Sequence, residues 1–148
     1  MTLDGLKLGL RYSATLTVSE SLSVPAQARI FDPGTDMPPV FATAQMIAFV
    51  EWTCVAALAP YLGSDQRTVG TRVDMTHTAA TPIGMTVTAE VELVEVNDRT
   101  LALQGRLPRR ERPDRRGFSR AHSHRPRPLH GPAGAEASVD CVHSLRVI

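Results

Sequence analysis

Apolar and polar positions change their spacing several times along the chain, and each change marks an element. Over residues 12–19 (YSATLTVS) they alternate with period two, the pattern of a strand with one face in a core. Residues 21–39 have no period and are broken by Pro25, Pro33, Gly34, Pro38 and Pro39. They read as a loop whose stiff end, Asp36-Met37-Pro38-Pro39, delivers the chain to a helix. From Ala42 to Tyr61 every residue is apolar or uncharged except Glu51. A helix without a polar face has to be enclosed by the rest of its domain. Thr43 stands where an N-cap would, and Ala59-Pro60 ends the pattern. Residues 44–59 are 16 in number and include Gln45, Glu51 and Thr53, short of the ~20 apolar residues a bilayer requires, so a core helix is expected and no membrane span.

Residues 62–68 (LGSDQRT) form a turn-rich link. Alternation returns over residues 69–80, with Val73, Met75, His77 and Ala79 on one face and Arg72, Asp74, Thr76 and Thr78 on the other. Thr81-Pro82-Ile83-Gly84 is a turn, residues 85–96 (MTVTAEVELVEV) are the longest strand, and Asn97-Asp98 is a hairpin loop from which residues 100–107 pair back. A strand, one long helix and an antiparallel meander make an α+β domain, in which only the helix can cover the apolar face of the sheet.

Composition divides the chain. At 148 residues it has room for one domain with a core. The net charge of +1 hides an asymmetry: residues 1–105 carry 6 Lys/Arg against 11 Asp/Glu, and residues 106–148 carry 10 against 4. Nine arginines fall between Arg106 and Arg127, in a stretch without helix or strand period, and only residues 138–148 (SVDCVHSLRVI) again look strand-like. The expected organisation is a domain over residues 1–107 and an irregular Arg/Pro-rich tail over 108–148, disordered or read out of its ancestral frame. A GC-rich gene read out of frame yields this Arg, Pro, His, Ala and Gly. His122, His124 and His130 have no fourth ligand in register, so no metal site is expected. With no aromatic interleaving beyond Phe118, the basic run argues against a nucleic-acid module. Cys54 and Cys141 lack metal-ligand spacing and suit a reducing cytosol, and the N-terminus lacks the apolar core of a signal peptide, so a cytoplasmic protein is expected.

The candidate chemistry starts from Glu51. An ionised carboxylate buried without partners costs several kcal/mol, so Glu51 should be paired, protonated or facing a wet cleft. His77, alone on an apolar face, is either a satisfied core histidine or its counterpart: a buried acid and an inward histidine each explain the other.

Val40-Phe41-Ala42-Thr43, Glu51-Trp52 and Thr76-His77-Thr78-Ala79-Ala80-Thr81-Pro82 carry a resemblance over roughly residues 8–107. They resemble the hot-dog-fold thioesterases of the fluoroacetyl-CoA-specific type, which hydrolyse small acyl-CoA thioesters. The resemblance implies an antiparallel sheet wrapped around one long central helix, a short acyl-CoA as substrate, no cofactor, and a homodimer with active sites at the seam. It implies a catalytic set of Thr43, Glu51 and His77, with Gly70 offering its amide to the substrate carbonyl and Met37 and Phe41 at the substrate. Met37 stands where the family's namesake has an aromatic lid residue, and the family's final strand, with a Gly-x-His-like segment, is not recognisable after Leu107. Thr43 is a nucleophile, a residue that positions water, or a plain N-cap. Thr43 and Glu51 lie eight residues apart, about 12 Å along a helix, so a histidine, the substrate or a second subunit has to span the gap. The alternative to an enzyme is an inactive hot-dog protein that binds acyl-CoA or another small ligand.

Overall fold

The fold is described from a computed structural model, over residues 5–31, 36–107, 109–110 and 140–148. Its strands are β1 (Arg11–Thr17), β2 (Thr68–Met75), β3 (Thr86–Asn97), β4 (Thr100–Arg106), β5 (Arg109–Arg110) and β6 (Asp140–Val147), and its helices are α1 (Val24–Phe31) and α2 (Thr43–Leu58). One antiparallel sheet runs in the order β1-β3-β4-β6-β2, with β5 as a short addition to β3.

Period two builds this sheet. Along β3, Val87, Ala89, Val91 and Leu93 are buried beneath α2. Their neighbours Glu90 and Glu92 face outward, where each meets an arginine directly across the ladder: Glu92 accepts from Arg11 at 3.0 Å and Glu90 from Arg106 at 2.8 Å. Such exposed pairs are worth at most about 1 kcal/mol, so they fix which face is outside more than they hold it there. The core lies between the inner face and α2, from which Met46, Val50, Thr53, Cys54, Ala57 and Leu58 are buried. Each fully buried Val or Leu contributes roughly 1.5–3 kcal/mol. The Thr53 hydroxyl enters this core by donating to the Phe49 carbonyl at 2.7 Å.

Four expectations are corrected. The helix is not enclosed on all sides: Trp52 is 68% exposed, because a single sheet covers one face of α2 only. The stretch read as a loop before it contains α1, whose Pro25 sits in the first turn, where its missing N–H breaks no helical bond. The strand expected over residues 69–80 ends at Met75, opposite Cys141, so His77 lies beyond the strand. The tail expected over 108–148 does not extend to the final residues. Cys141, His143, Leu145 and Val147 are buried on one face of β6, and that strand pairs with β4 on one side and β2 on the other. Its alternation, weak as a signal, suffices because two ladders receive it. The shift of frame, the histidines His122, His124 and His130, and the arginine run concern residues that fall largely outside those described.

Candidate active site

The segment leading into α2 is stitched on both sides. Val24 N–H donates to the Val40 carbonyl at 2.9 Å, Ala42 N–H to the Leu22 carbonyl at 3.0 Å, and Phe41 N–H to the Thr81 carbonyl at 2.8 Å. These bonds lay the head of the helix beside the chain that follows β2. Thr43 Oγ1 consequently stands 2.9 Å from His77 Nδ1. The N-cap position belongs to Ala42, which has no side chain to cap with, so the Thr43 hydroxyl is committed to the imidazole and the plain-cap reading is set aside. Neither residue is in the core: Thr43 is exposed and His77 half-buried. The first-turn amides of α2 lack partners within the helix and carry the positive end of its dipole.

Glu51 lies two turns further along, half-buried, against β2. A Cβ added at Gly70 would come 2.7 Å from Glu51 Oε1 and 3.2 Å from its Cδ. Gly70 is thus the position that lets the carboxylate rest on the strand. No hydrogen bond or ion pair joins Glu51 to Thr43 or His77 among the described residues. One chain therefore presents two half-sites: Thr43 with His77, and Glu51 with Gly70. Of the positions expected at the substrate, Met37 is exposed on the approach to α2, while Phe41 is 1% exposed and packed in the core behind the helix head.

Sequence reasoning missed a polar seam beneath Glu51. Cys54, one turn along α2, is buried, and Cys141 and His143 are buried on β6. Burial pushes the Cys54 thiol up to about 12, with Cys141 and then Glu51 adding to the shift, so this thiol stays protonated near neutral pH and is no nucleophile. Burial pushes His143 down, while the Glu51 charge pulls it up. The signal for β6 was the alternation of residues 141–147, masked by the basic stretch before it.

Comparison with known proteins adds an independent line. Residues 24–112 match the family model of FlK, the fluoroacetyl-CoA-specific thioesterase. A fluoroacetyl-CoA thioesterase of Streptantibioticus cattleyicolor is 39% identical over 99 residues, covering 67% of this chain and 71% of that one. The crystal structure of a point mutant of FlK superposes with a TM-score of 0.75 at 30% identity, covering 98% of this chain and 90% of that one. A hot-dog-like protein of Thermanaerovibrio acidaminovorans shares the fold at 16% identity, with a TM-score of 0.67 over 97% of this chain and 84% of that one.

Proposed function

We propose a division of labour among the residues of a chain that belongs to the fluoroacetyl-CoA-specific thioesterase family, an acyl-CoA hydrolase of hot-dog fold. Its reaction is the hydrolysis of an acyl-CoA thioester: the C–S bond breaks, water supplies the oxygen of the released acid, and CoA departs as the thiol.

The observation that carries the assignment is the 2.9 Å contact of Thr43 Oγ1 with His77 Nδ1. A nucleophile and its base are recognised by this reach, and an imidazole is the usual base near neutral pH. His77 takes the Thr43 proton as Oγ1 attacks the thioester carbonyl. The first-turn amides of α2 and the Gly70 amide receive the oxyanion, and the proton passes to the departing sulfur. Water then attacks the acyl-threonine with His77 again as base. Glu51 is the acid that orients this exchange. Phe41 backs the acyl group from the core, and Met37 stands at its mouth. A flexible thioether at this position favours a short acyl chain without strict preference for a fluorinated one.

The two half-sites meet in a homodimer. Trp52 beside Glu51 is 68% exposed, and Val73, on the helix-facing side of β2, is 38% exposed, an apolar strip next to a strand that has one neighbour among the described residues. A two-fold pairing along this strip covers it and brings the Glu51 of one chain toward the Thr43–His77 pair of the other. Light scattering is expected to give twice the chain mass, and Trp52→Glu to give a monomer that no longer turns over. A wild-type monomer at working concentration removes this assembly. The two core thiols, Cys54 and Cys141, suit the reducing cytosol, where CoA thioesters are met.

The function is tested by incubating the purified chain with fluoroacetyl-, acetyl-, propionyl- and butyryl-CoA and following free thiol. Turnover of the short chains supports the reading; binding without thiol release would instead make this a carrier of acyl-CoA. Gly70→Ala offers a sharper check. The atoms nearest its new methyl are the flexible end of Glu51, so the melting temperature should hardly move while the carboxylate is displaced and hydrolysis falls at least about tenfold.

A further inference from the structure

His143 is fully buried, yet among the described residues neither of its ring nitrogens has a hydrogen-bond partner. Native interiors rarely leave a side chain so, and each instance calls for an explanation. Its position supplies one. On β6, His143 faces the helix together with Leu145, and Leu145 is the register partner of Gly70, the residue on which the Glu51 carboxylate rests. His143 is the diagonal neighbour of Gly70 across this ladder, a separation of roughly 7–8 Å that a glutamate side chain and an imidazole bridge between them. The charged group whose field reaches the ring is likewise Glu51.

We propose that His143 is a positioning residue for Glu51: its buried imidazole donates a hydrogen bond to the Glu51 carboxylate, directly or through one water, and holds that carboxylate against β2 in the orientation catalysis uses. The inference rests on the role given to Glu51 above. A half-buried acid on an apolar helix has many rotamers, and a donor fixed in the strand beneath selects one of them. Held neutral by burial, the ring keeps one N–H for this bond.

Two measurements on the full chain decide it. In the first, His143→Leu fills the same volume without a donor, while His143→Asn and His143→Gln return an N–H near Nδ1 and Nε2. His143→Leu should melt close to the wild-type temperature, since it replaces a buried polar ring with an apolar side chain and leaves the half-buried Glu51 carboxylate within reach of water. Its kcat should fall about tenfold or more, the scale in rate of one hydrogen bond to a charged group, with KM within about twofold. One of the two amide variants should recover a large part of the loss. Wild-type kcat in His143→Leu, or a loss that follows stability and that neither amide repairs, overturns the proposal. In the second, histidine-labelled protein is followed by ¹⁵N NMR, the His143 ring being assigned by its disappearance in His143→Leu or, if that variant does not fold, in His143→Gln. Glu51→Gln should shift the ring nitrogens of His143, and unmoved signals overturn the contact. Should the wild type release no thiol from any acyl-CoA, the catalytic reading fails, while the ring shift still decides whether His143 holds Glu51.

Discussion

Replacing His77 with alanine is expected to lower kcat for thioester hydrolysis by about 10²–10⁴-fold, the usual contribution of a positioned base. Folding should be nearly unaffected. His77 lies past the end of β2, half-buried, and its hydrogen bond goes to Thr43, itself exposed, so the substitution opens no cavity in the core. Thiol release measured beside a thermal melt separates the two effects. Turnover at the wild-type rate would remove both His77 and the Thr43 nucleophile it serves, and with them the mechanism.

Glu51→Gln is expected to reduce turnover by a comparable factor, on the order of 10² or more. The amide has the shape of the carboxylate but no charge, and a half-buried side chain on an otherwise apolar helix loses little stability when it becomes neutral. The melting temperature should therefore be kept or raised. Because Glu51 and the Thr43–His77 pair stand apart within one chain, mixing the two inactive variants also reports where the site is built. If Glu51 acts across the two-fold axis, a mixed dimer of His77→Ala with Glu51→Gln has one complete site. Random pairing then restores up to about a quarter of wild-type activity. If all three residues act within one chain, no mixed dimer has a complete site and nothing is restored.

The sheet and central helix were legible because β1, β3 and β4 alternate with period two, and α2 is an apolar run interrupted by one charge and closed by Pro60. The misread elements share a cause: the local pattern continues where the tertiary partner does not, or the partner arrives without a pattern. Thr76-His77-Thr78 keeps the alternation of β2 although the ladder with β6 ends at the Met75–Cys141 pair. α1 is only eight residues long, none of them fully buried, and Pro25 disguised a helix start as a break. At the site, Glu51 and His77 were conspicuous as an acid and a histidine among apolar neighbours. That the acid meets Gly70 and the histidine meets Thr43 depends on the cross-links of residues 22–24, 40–42 and 81, which no local window contains. His143 escaped because a histidine in a short run that follows a basic, proline-rich stretch looks like more of the same until β4 and β2 are placed on either side of it.

The strand order has a consequence for how the molecule comes together. Within the described sheet β2 has one neighbour, β6, and all of β3 and β4 and the segment after them lie between the two in sequence. Helix α2 and the β3-β4 hairpin can associate through nearer contacts, while β1 reaches β3 across a separation as long as that between β2 and β6; β2, moreover, has no ladder to join until β6 has docked on β4. Loop closure over such a separation is slow, and pairings of this kind dominate folding rates. Gly70 lies on the late strand and His77 just beyond it, so an early intermediate would have its core largely formed and the reactive half of the molecule still unplaced. Until that docking, β4 and β2 both present bare edges, and in this interval the chain is most exposed to pairing with a neighbour instead of with itself.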